Sequence, residues 1–230
     1  MVFVGCNHIP GRPGPGPEVV RPEQVLTFPA LYKQNCAACH GEDGKNGAAI
    51  SLANPVYLAI AGEATLQQVI AKGVDGKLMP PFAKSAGGML TDAQVAQLAE
   101  GLLKQWGKPE LLAGQNAPAY LATLSGNAGR GQQAFTTFCA RCHGATGEGV
   151  RGDSKNGSGG LGSLVNPSYL ALISDQNLRS ITIAGRPDEG MPDWRADAAQ
   201  PLTDQQTTDI VAWLASKRTA NPGQPYATHP

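Results

Sequence analysis

Large aromatic side chains are scarce in this chain of 230 residues, since phenylalanine, tryptophan and tyrosine together make up 6% of it. Charged residues are also few, and 29 glycines and 18 prolines interrupt the sequence, which excludes a coiled coil and a highly charged disordered chain. Basic and acidic residues cancel at 18 each, so the surplus of positive charge that nucleic-acid binding needs is missing. No apolar run approaches the roughly 18 to 20 residues of a membrane-spanning helix. The length suits two small domains, and something other than aromatic rings must fill their cores.

Cysteine is rare too, and four of the five cysteines belong to two copies of one short pattern, C-x-x-C-H. Its residues are Cys36, Cys39 and His40 in the first half of the chain and Cys139, Cys142 and His143 in the second. Chance would place roughly 0.002 copies in a chain of this composition, and C-x-x-C-H is the attachment signature of c-type haem. The sequence therefore predicts two haem c groups, which would supply the missing core volume.

The spacing of the pattern follows from the chemistry of attachment. Two thiols separated by two residues on a helical turn reach the vinyl groups along one edge of the porphyrin, and the histidine that follows points a ring nitrogen at the iron. A redox dithiol is disfavoured because no thioredoxin-like βαβ pattern surrounds either copy, and a zinc site made of the same residues is a second alternative. We expect His40 and His143 to be the proximal iron ligands.

The two halves of the chain repeat one another beyond the cysteine motifs. The matching segments begin at Asn54 and Asn166, at Met79 and Met191, and at Leu90 and Leu202, so that each pair differs by 112 in residue number. The cysteine motifs differ by 103, which leaves nine additional residues in the second half. They fall in or near the glycine-rich segment 151–160, for which we predict a flexible surface loop.

The local patterns in each half are helical. Thr91 and Gln94 form a predicted capping box ahead of apolar residues at helical spacing, and Thr203 and Gln206 repeat it. Further helices are predicted over 28–36 and 132–139, which lead into the cysteine motifs, and over about 65–73 and 174–185. No segment alternates polar and apolar residues at period two. We therefore predict an all-α fold of two small tandem modules.

Two of the four methionines coincide under the repeat, and they are candidates for the second axial position of each iron. Met79 and Met191 each precede a proline, which holds the backbone extended and suits a strap that carries sulfur to the metal. Filling a gap in the core is the alternative role. Met89 falls opposite Pro201 and is predicted to pack only. An iron with both axial positions filled favours electron transfer, because no bond forms or breaks when its oxidation state changes.

Each half resembles a class I c-type cytochrome in the order of its features, from the helix and C-x-x-C-H motif through the Asn-Pro segment and the Met-Pro strap to the C-terminal helix. The resemblance covers about residues 26–107 and 128–218. It implies two low-spin haem c groups, each with a histidine and a methionine as axial ligands, which pass single electrons.

The same resemblance offers candidates for the haem pockets. In that family a proline carbonyl downstream of the histidine orients its other ring nitrogen, and Pro55 and Pro167 are the candidates in this chain. Tyr57, Tyr169 and Trp194 are candidates to line the haems or contact their propionates, with an ordinary place in the core as the alternative.

The N-terminal residues predict an anchored tether. Gly5 and Cys6 follow apolar residues in a pattern that resembles the end of a bacterial lipoprotein signal, with Phe3 where leucine is typical. Lipidation would account for the one cysteine outside the haem motifs, and a free thiol is the alternative. Segment 10–22 contains five prolines and three glycines, so we expect an extended tether, with a proline-rich recognition peptide as the alternative.

These features divide the chain into five parts. We predict a signal remnant and tether over 1–25, a first cytochrome c domain over 26–107, a linker over 108–127, a second cytochrome c domain over 128–218 and a C-terminal tail over 219–230. The linker contains apolar residues such as Leu111 and Tyr120, so we expect it to pack against a domain.

Location and function follow as expectations. Covalent haem attachment takes place outside the cytoplasm, so we expect a protein of the bacterial periplasm, anchored to a membrane through lipid on Cys6. The expected role is that of an electron carrier, not an enzyme in itself, within a respiratory or photosynthetic electron-transport complex. The expected partners are a quinol-oxidising complex, an oxidase or a photosynthetic reaction centre. The alternative is a dihaem oxidoreductase, such as a peroxidase or a sulfur-compound-oxidising enzyme, in which one axial ligand is displaceable.

Overall fold

The structure is a computed structural model, and it describes residues 16, 20–75, 77–151, 160–197 and 199–219. Throughout these ranges the regular structure is helical, and strand pairing is limited to three isolated bridges. The all-α prediction is confirmed. Within the same ranges, no helix is both long enough and apolar enough to cross a membrane. Cys6, most of the predicted tether and most of the predicted loop over 151–160 lie outside the described residues.

The described residues of the first half form four α-helices. They are α1 (Phe28–Asn35), α2 (Ala37–His40), α3 (Pro55–Lys72) and α4 (Asp92–Trp106). α3 starts ahead of the predicted helix at 65–73, because the side-chain oxygen of Asn54 accepts hydrogen bonds from the backbone N–H groups of Val56 and Tyr57. Gly62 interrupts the helical geometry with φ +70°, so the predicted helix is the second arm of α3.

The second half repeats this order, with the counterpart of α3 divided into two helices. Its helices are α5 (Ala128–Phe138), α6 (Ala140–His143), α7 (Pro167–Leu172), α8 (Asp175–Ala184) and α9 (Asp204–Ala215). α5 starts four residues earlier than predicted, because Asn127 accepts a hydrogen bond of 2.9 Å from the backbone N–H of Arg130. α7 and α8 correspond to the two arms of α3, and they are separate helices because Ser174 caps α8.

The C-terminal helix of each half begins at the predicted capping box. In α4, the backbone N–H of Gln94 donates to Thr91 Oγ1 at 3.2 Å, and the backbone N–H of Thr91 donates to Gln94 Oε1 at 3.0 Å. Thr203 and Gln206 form the same pair of hydrogen bonds at the start of α9. Each box satisfies N–H groups that lack a partner within the helix, and both cap predictions are confirmed.

The N-terminal helix of each half crosses the C-terminal helix at a glycine. Gly101 of α4 lies against the ring of Phe28, where a Cβ atom would come within 2.1 Å of Cδ2. Gly131 of α5 lies against α9, where a Cβ atom would come within 1.9 Å of the backbone oxygen of Asp209. The two crossings therefore place each cysteine motif against the rest of its half.

The linker packs against the domains, as expected: its segment 109–112 lies on α3, and the buried Arg179 of α8 holds its later residues on the second half. The Arg179 guanidinium donates to the backbone oxygens of Ala119 and Tyr120, at 2.7 and 3.1 Å, and to Thr208 Oγ1 at 2.8 Å. It is also paired with the carboxylate of Asp204. A buried charge is tolerated only when such acceptors surround it, so the linker and α8 depend on one another.

Candidate haem sites

The first cysteine motif occupies the junction between two helices. α1 ends just before Cys36, and the single-turn helix α2 carries the remaining residues. The backbone N–H of His40 donates to the oxygen of Cys36 at 3.0 Å, which closes the turn. Cys36 is half-buried and Cys39 is exposed, and His40 is only 8% exposed. Two thiols and a buried imidazole on one helical turn are what thioether attachment and axial ligation require.

The loop after the first motif sets the orientation of the histidine ring. His40 Nδ1 donates to the backbone oxygen of Ile50 at 2.8 Å, which leaves Nε2 without a proton and available to a metal. Burial lowers the pKa of His40 and so favours the neutral, ligating form. The prediction that Pro55 supplies this acceptor is wrong, because Pro55 is the first residue of α3 and the preceding loop brings Ile50 to the ring instead.

The second motif has the same local geometry but a more open histidine. The backbone N–H of His143 donates to the oxygen of Cys139 at 3.0 Å, and α6 carries the rest of the motif. Cys139 is half-buried and Cys142 exposed, as in the first half, whereas His143 is only half-buried. Both motifs therefore present the same groups in the same order.

The loop after the second motif follows a different course. His143 Nδ1 is buried and has no hydrogen-bond partner among the described residues. Val150 and Leu161 exchange two backbone hydrogen bonds of 3.0 Å, which close the base of the loop that contains the additional residues. Pro167, which was predicted to orient the ring, is exposed at the start of α7, and its role at His143 stays a prediction.

The first thiol of each motif has a raised pKa, which does not suit a redox dithiol. Burial, together with the neighbouring thiol of each motif, raises the pKa of Cys36 to about 12 and that of Cys139 to about 11. Reactive dithiols have the opposite shift, because the thiolate is the attacking species. In the part of the chain that the structure describes, no three His, Cys, Asp or Glu side chains converge as a metal-ion site, so the zinc alternative has no ligand cluster.

Each predicted methionine strap packs against a glycine at the end of a helix. Gly73 follows α3 with φ +69°, and Gly185 follows α8 with φ +67°. A Cβ atom on Gly73 would come within 2.6 Å of the backbone oxygen of Met79, and one on Gly185 would come equally close to the oxygen of Met191. Both positions need glycine because of the positive φ and the close backbone approach. Both glycines were predicted as helix ends but not as contacts of the straps, although they recur at the same offset of 112 residues as Met79 and Met191.

Backbone hydrogen bonds hold the straps in place. The N–H of Val74 donates to the oxygen of Met79 at 3.0 Å. Arg186 and Met191 exchange hydrogen bonds of 2.9 and 3.0 Å. Both methionine side chains are half-buried. The two candidate sulfur ligands thus occupy equivalent, fixed positions in the two halves.

The three aromatic pocket candidates have different surroundings. Tyr57 is buried, and its ring centroid lies 6.4 Å from that of Tyr120 in the linker. Tyr169 is half-buried, and burial raises its pKa while the neighbouring Arg186 lowers it. Trp194 is buried, and its Nε1 has no hydrogen-bond partner among the described residues.

Two buried donors beside the second methionine strap fit a haem c group. Arg186 pairs with Glu189 at 2.6 Å, yet its Nε is buried without a partner in the described ranges, as is Trp194 Nε1. Both are donors that could meet the carboxylates of a propionate. In the first half, Leu78 is 84% exposed directly beside Met79, as expected for a side chain that contacts an apolar macrocycle. The thiols, the imidazoles, these donors and this apolar side chain are together what covalent haem binding needs.

Comparison with known families recovers the same two halves. The family described as cytochrome c oxidase, cbb3-type, subunit III matches residues 23–100, and the family described as cytochrome c matches residues 128–217. The chain is a dihaem c-type cytochrome. The cytochrome has one C-x-x-C-H motif in each of these domains and binds two haem c groups covalently. Residues 23–100 are called the first domain below, and residues 128–217 the second.

The cytochrome is similar in sequence to subunits of a terminal oxidase. It is 28% identical over 158 residues to the cbb3-type cytochrome c oxidase subunit CcoP of Azospirillum sp., which covers 62% of the cytochrome and 48% of the relative. It is 31% identical over 131 residues to the cbb3-type cytochrome c oxidase subunit FixP of Sinorhizobium medicae, which covers 53% and 39%. It is also 35% identical over 97 residues to the dihydro-heme d1 dehydrogenase of Pseudomonas aeruginosa, which covers 41% and 20%. The cytochrome therefore spans about half, or less, of the length of these relatives.

Proposed function

We propose that the cytochrome transfers single electrons through two haem c groups, each ligated by a histidine and a methionine. The proposed ligands are His40 and Met79 in the first domain and His143 and Met191 in the second. The observation that carries the proposal is the repetition of the methionine strap, which has the same register and the same contact with a helix-end glycine in both domains. When bound, haem c supplies an iron that gains and loses one electron.

The residues of the chain keep the axial groups still. The carbonyl of Ile50 holds the His40 ring in the tautomer that ligates, and burial keeps the ring neutral. The backbone pairing of Arg186 with Met191 holds the second strap against α8. Coordination that is the same in both oxidation states favours fast electron transfer, because little has to move when the charge changes.

The ligand assignment is tested by opening each iron in turn. In Met79→Ala and in Met191→Ala, we expect the reduced protein to bind about one carbon monoxide per chain, while the wild type binds none. A pyridine haemochrome assay should still find two haems per chain, because the thioether bonds are unchanged. Met89→Ala is the matched control, since Met89 is 81% exposed and has no methionine at its repeat position. Stoichiometric binding of carbon monoxide by the wild type would contradict the proposal.

A dihaem oxidoreductase with a displaceable ligand is the second candidate. Two observations at the second haem site support this candidate over a simple electron carrier. His143 is less buried than His40, and His143 Nδ1 has no hydrogen-bond partner among the described residues. The relative named as a dihydro-heme d1 dehydrogenase is an enzyme by its name. If the wild type binds about one carbon monoxide per chain, and Met191→Ala adds no further binding, this candidate is preferred.

We propose further that the cytochrome serves a membrane-bound respiratory complex of the oxidase type. The support is its similarity to two proteins named as subunits of cbb3-type cytochrome c oxidase. A quinol-oxidising complex and a photosynthetic reaction centre are the other redox partners considered. Gentle isolation of the native protein, followed by identification of what copurifies, distinguishes the three, and recovery without any oxidase subunit would count against the first.

We propose a periplasmic location with a lipid anchor on Cys6. The support is the Gly5-Cys6 pattern followed by the proline-rich segment 10–22, and Cys6 lies outside the described residues. Mass spectrometry of the natural N-terminus is the direct measurement. We expect Cys6 to be the first residue and to carry a diacylglyceryl group. An N-terminus that retains Met1, with Cys6 unmodified, would exclude lipidation.

A further inference from the structure

Asn54 and Asn166 are equivalent residues of the repeat, and each caps the helix that follows it. Asn54 Oδ1 accepts hydrogen bonds of 2.9 and 3.2 Å from the two backbone N–H groups at the start of α3. Asn166 Oδ1 accepts bonds of the same lengths at the start of α7. As helix caps, the two residues are therefore interchangeable.

Only Asn54 uses its amide group to contact the other domain. Asn54 is 3% exposed, and its Nδ2 donates to the backbone oxygens of Ala184 and Gly185, at 2.9 and 3.2 Å. These two carbonyls lie at the C-terminus of α8 in the second domain. Asn166 is exposed. The repeat thus contains one copy of this side chain with a second function and one copy without it.

The carbonyls that Asn54 binds belong to the backbone that positions Met191. Gly185 packs directly on the strap, since a Cβ atom there would come within 2.4 Å of the oxygen of Pro192. The next residue, Arg186, exchanges two backbone hydrogen bonds with Met191. A displacement of the end of α8 would therefore displace the strap as well.

A second contact joins the same two regions. The backbone N–H of Asn46, in the loop after the first cysteine motif, donates to Asp188 Oδ2 at 3.3 Å. Asp188 lies between Arg186 and Met191, within the loop that the strap closes. The attachment loop of the first haem site and the methionine loop of the second are therefore in direct contact.

We propose that Asn54 is a positioning residue that couples the two haem sites, because its amide fixes the main chain that carries the Met191 ligand. In this arrangement the docking of the first domain strengthens sulfur ligation at the second iron. Loss of the amide donor leaves two buried carbonyl oxygens without a partner and loosens the strap. The inference rests on the proposed ligation by Met191 and goes beyond it, since it assigns control of that bond to a residue of the other domain.

The test uses Asn54→Asp, with Asn166→Asp as the matched control. Aspartate caps a helix as well as asparagine does, so both variants keep their α-helices, but at position 54 an oxygen would replace the N–H that faces Ala184 and Gly185. Both changes are made in a Met79→Ala background, where the sulfur-to-iron charge-transfer band of the oxidised protein comes from Met191 alone. Asn54→Ser, which keeps a capping oxygen and lacks the amide, serves as a second variant without the added charge.

We expect imidazole to displace the Met191 sulfur at about tenfold lower concentration in Asn54→Asp than in its parent, the ratio that follows from loss of a buried hydrogen bond. Asn54→Ser should shift in the same direction by less, and Asn166→Asp should match the parent. If imidazole displaces the sulfur at the same concentration in Asn54→Asp and in its parent, the coupling is overturned. It is also overturned if Asn166→Asp shifts as much as Asn54→Asp does, because the effect would then come from helix capping. Absence of the band from the parent itself would refute Met191 ligation, and so the proposed function, before any question of coupling arises.

Discussion

At the scale of single residues, Arg179 shows how one copy of a duplicated position acquires a structural role. Arg179 is 2% exposed and binds two carbonyls of the linker together with Thr208 and Asp204. Its counterpart under the repeat is Gln67, which is half-buried and, among the described residues, donates a side-chain hydrogen bond only to Glu63 of its own helix, at 3.0 Å. Arg179 therefore fixes residues 119 and 120 of the linker to the second domain.

Replacing Arg179 with methionine should destabilise the protein strongly. The change leaves buried carbonyl oxygens and a carboxylate without their partner, so we expect the free energy of unfolding of the haem-loaded protein to fall by about 3 to 5 kcal/mol. Gln67→Met is the control and should change it by less than about 0.5 kcal/mol. Denaturant titration followed by circular dichroism measures both, and equal values for the two variants would show that the linker is not held in this way.

The residues that carry haem chemistry were predictable, whereas the groups that orient them were not. Thiols, imidazoles and thioethers are distinct side chains, so their spacing and repetition identify candidate ligands. The acceptor for His40 is a backbone carbonyl, which every residue has, and only the path of the loop decides that Ile50 supplies it. The same reason explains why the choice of Pro55 failed.

At the scale of secondary-structure elements, the crossing of α5 with α9 depends on a single missing side chain. Gly131 allows the backbone oxygen of Asp209 to approach within a distance that any Cβ atom would block. The crossing is reinforced by Arg130, whose guanidinium donates two hydrogen bonds of 2.7 and 2.9 Å to the Asp209 carboxylate. The helix that carries Cys139 at its end is thereby fixed to α9.

Gly131→Ala should separate these helices. Because the obstacle is backbone that cannot rotate away, we expect a loss of about 2 to 3 kcal/mol in the free energy of unfolding. Gly129→Ala, in the first turn of the same helix, is the control, since a Cβ atom there meets only the side chain of Asn127 at 3.3 Å. It should be close to neutral because alanine favours the helix. Thermal unfolding measures the loss of stability in each variant. Equal stability of Gly131→Ala and Gly129→Ala would show that the crossing tolerates a methyl group.

Element boundaries were predicted well where the cap is a polar side chain followed by a matching glutamine, as at Thr91 and Thr203. They were missed at Asn54 and Asn127, where the cap stands alone and competes with turn formation. The kink in α3 was also missed, because Gly62 is consistent with a helix in sequence and only its φ of +70° in the folded chain shows the break.

At the scale of the whole molecule, the two domains meet through polar and aromatic groups near the haem sites. Lys77 Nζ donates to the backbone oxygen of Ala171 at 2.9 Å, and Asn54 Nδ2 donates to that of Ala184 at 2.9 Å. Tyr57 of the first domain lies beside Tyr120, which Arg179 and Gln176 bind to the second domain. Tyr57 is therefore a buried titratable group within the contact between domains.

The folded protein should lose stability in alkali because Tyr57 is buried in the contact between domains. Burial, and next the neighbouring Tyr120, raise the pKa of Tyr57 above its ordinary value of 10.0. The folded protein therefore keeps this proton while the unfolded chain loses it, so stability that is complete below pH 10 decreases as the pH rises above it. Above about pH 10, the free energy of unfolding of the wild type should decrease with pH. In Tyr57→Phe we expect this decrease to be smaller by about 1.4 kcal/mol for each pH unit. Denaturant titrations between about pH 9 and pH 11 provide the slope, and an unchanged slope would mean that Tyr57 ionises freely in the folded protein.

The contact made by Asn54 joins the two domains head to tail. The start of the Asn-Pro helix in the first domain meets the end of α8 in the second, and the reverse pair, Asn166 with Gly73, is not joined, since Asn166 is exposed. Such a junction is heterologous, unlike the self-complementary interface of a twofold dimer. The first domain therefore keeps an unused helix end at Gly73, and the second keeps an unused cap at Asn166. The same geometry could add a further module of this type at either surface.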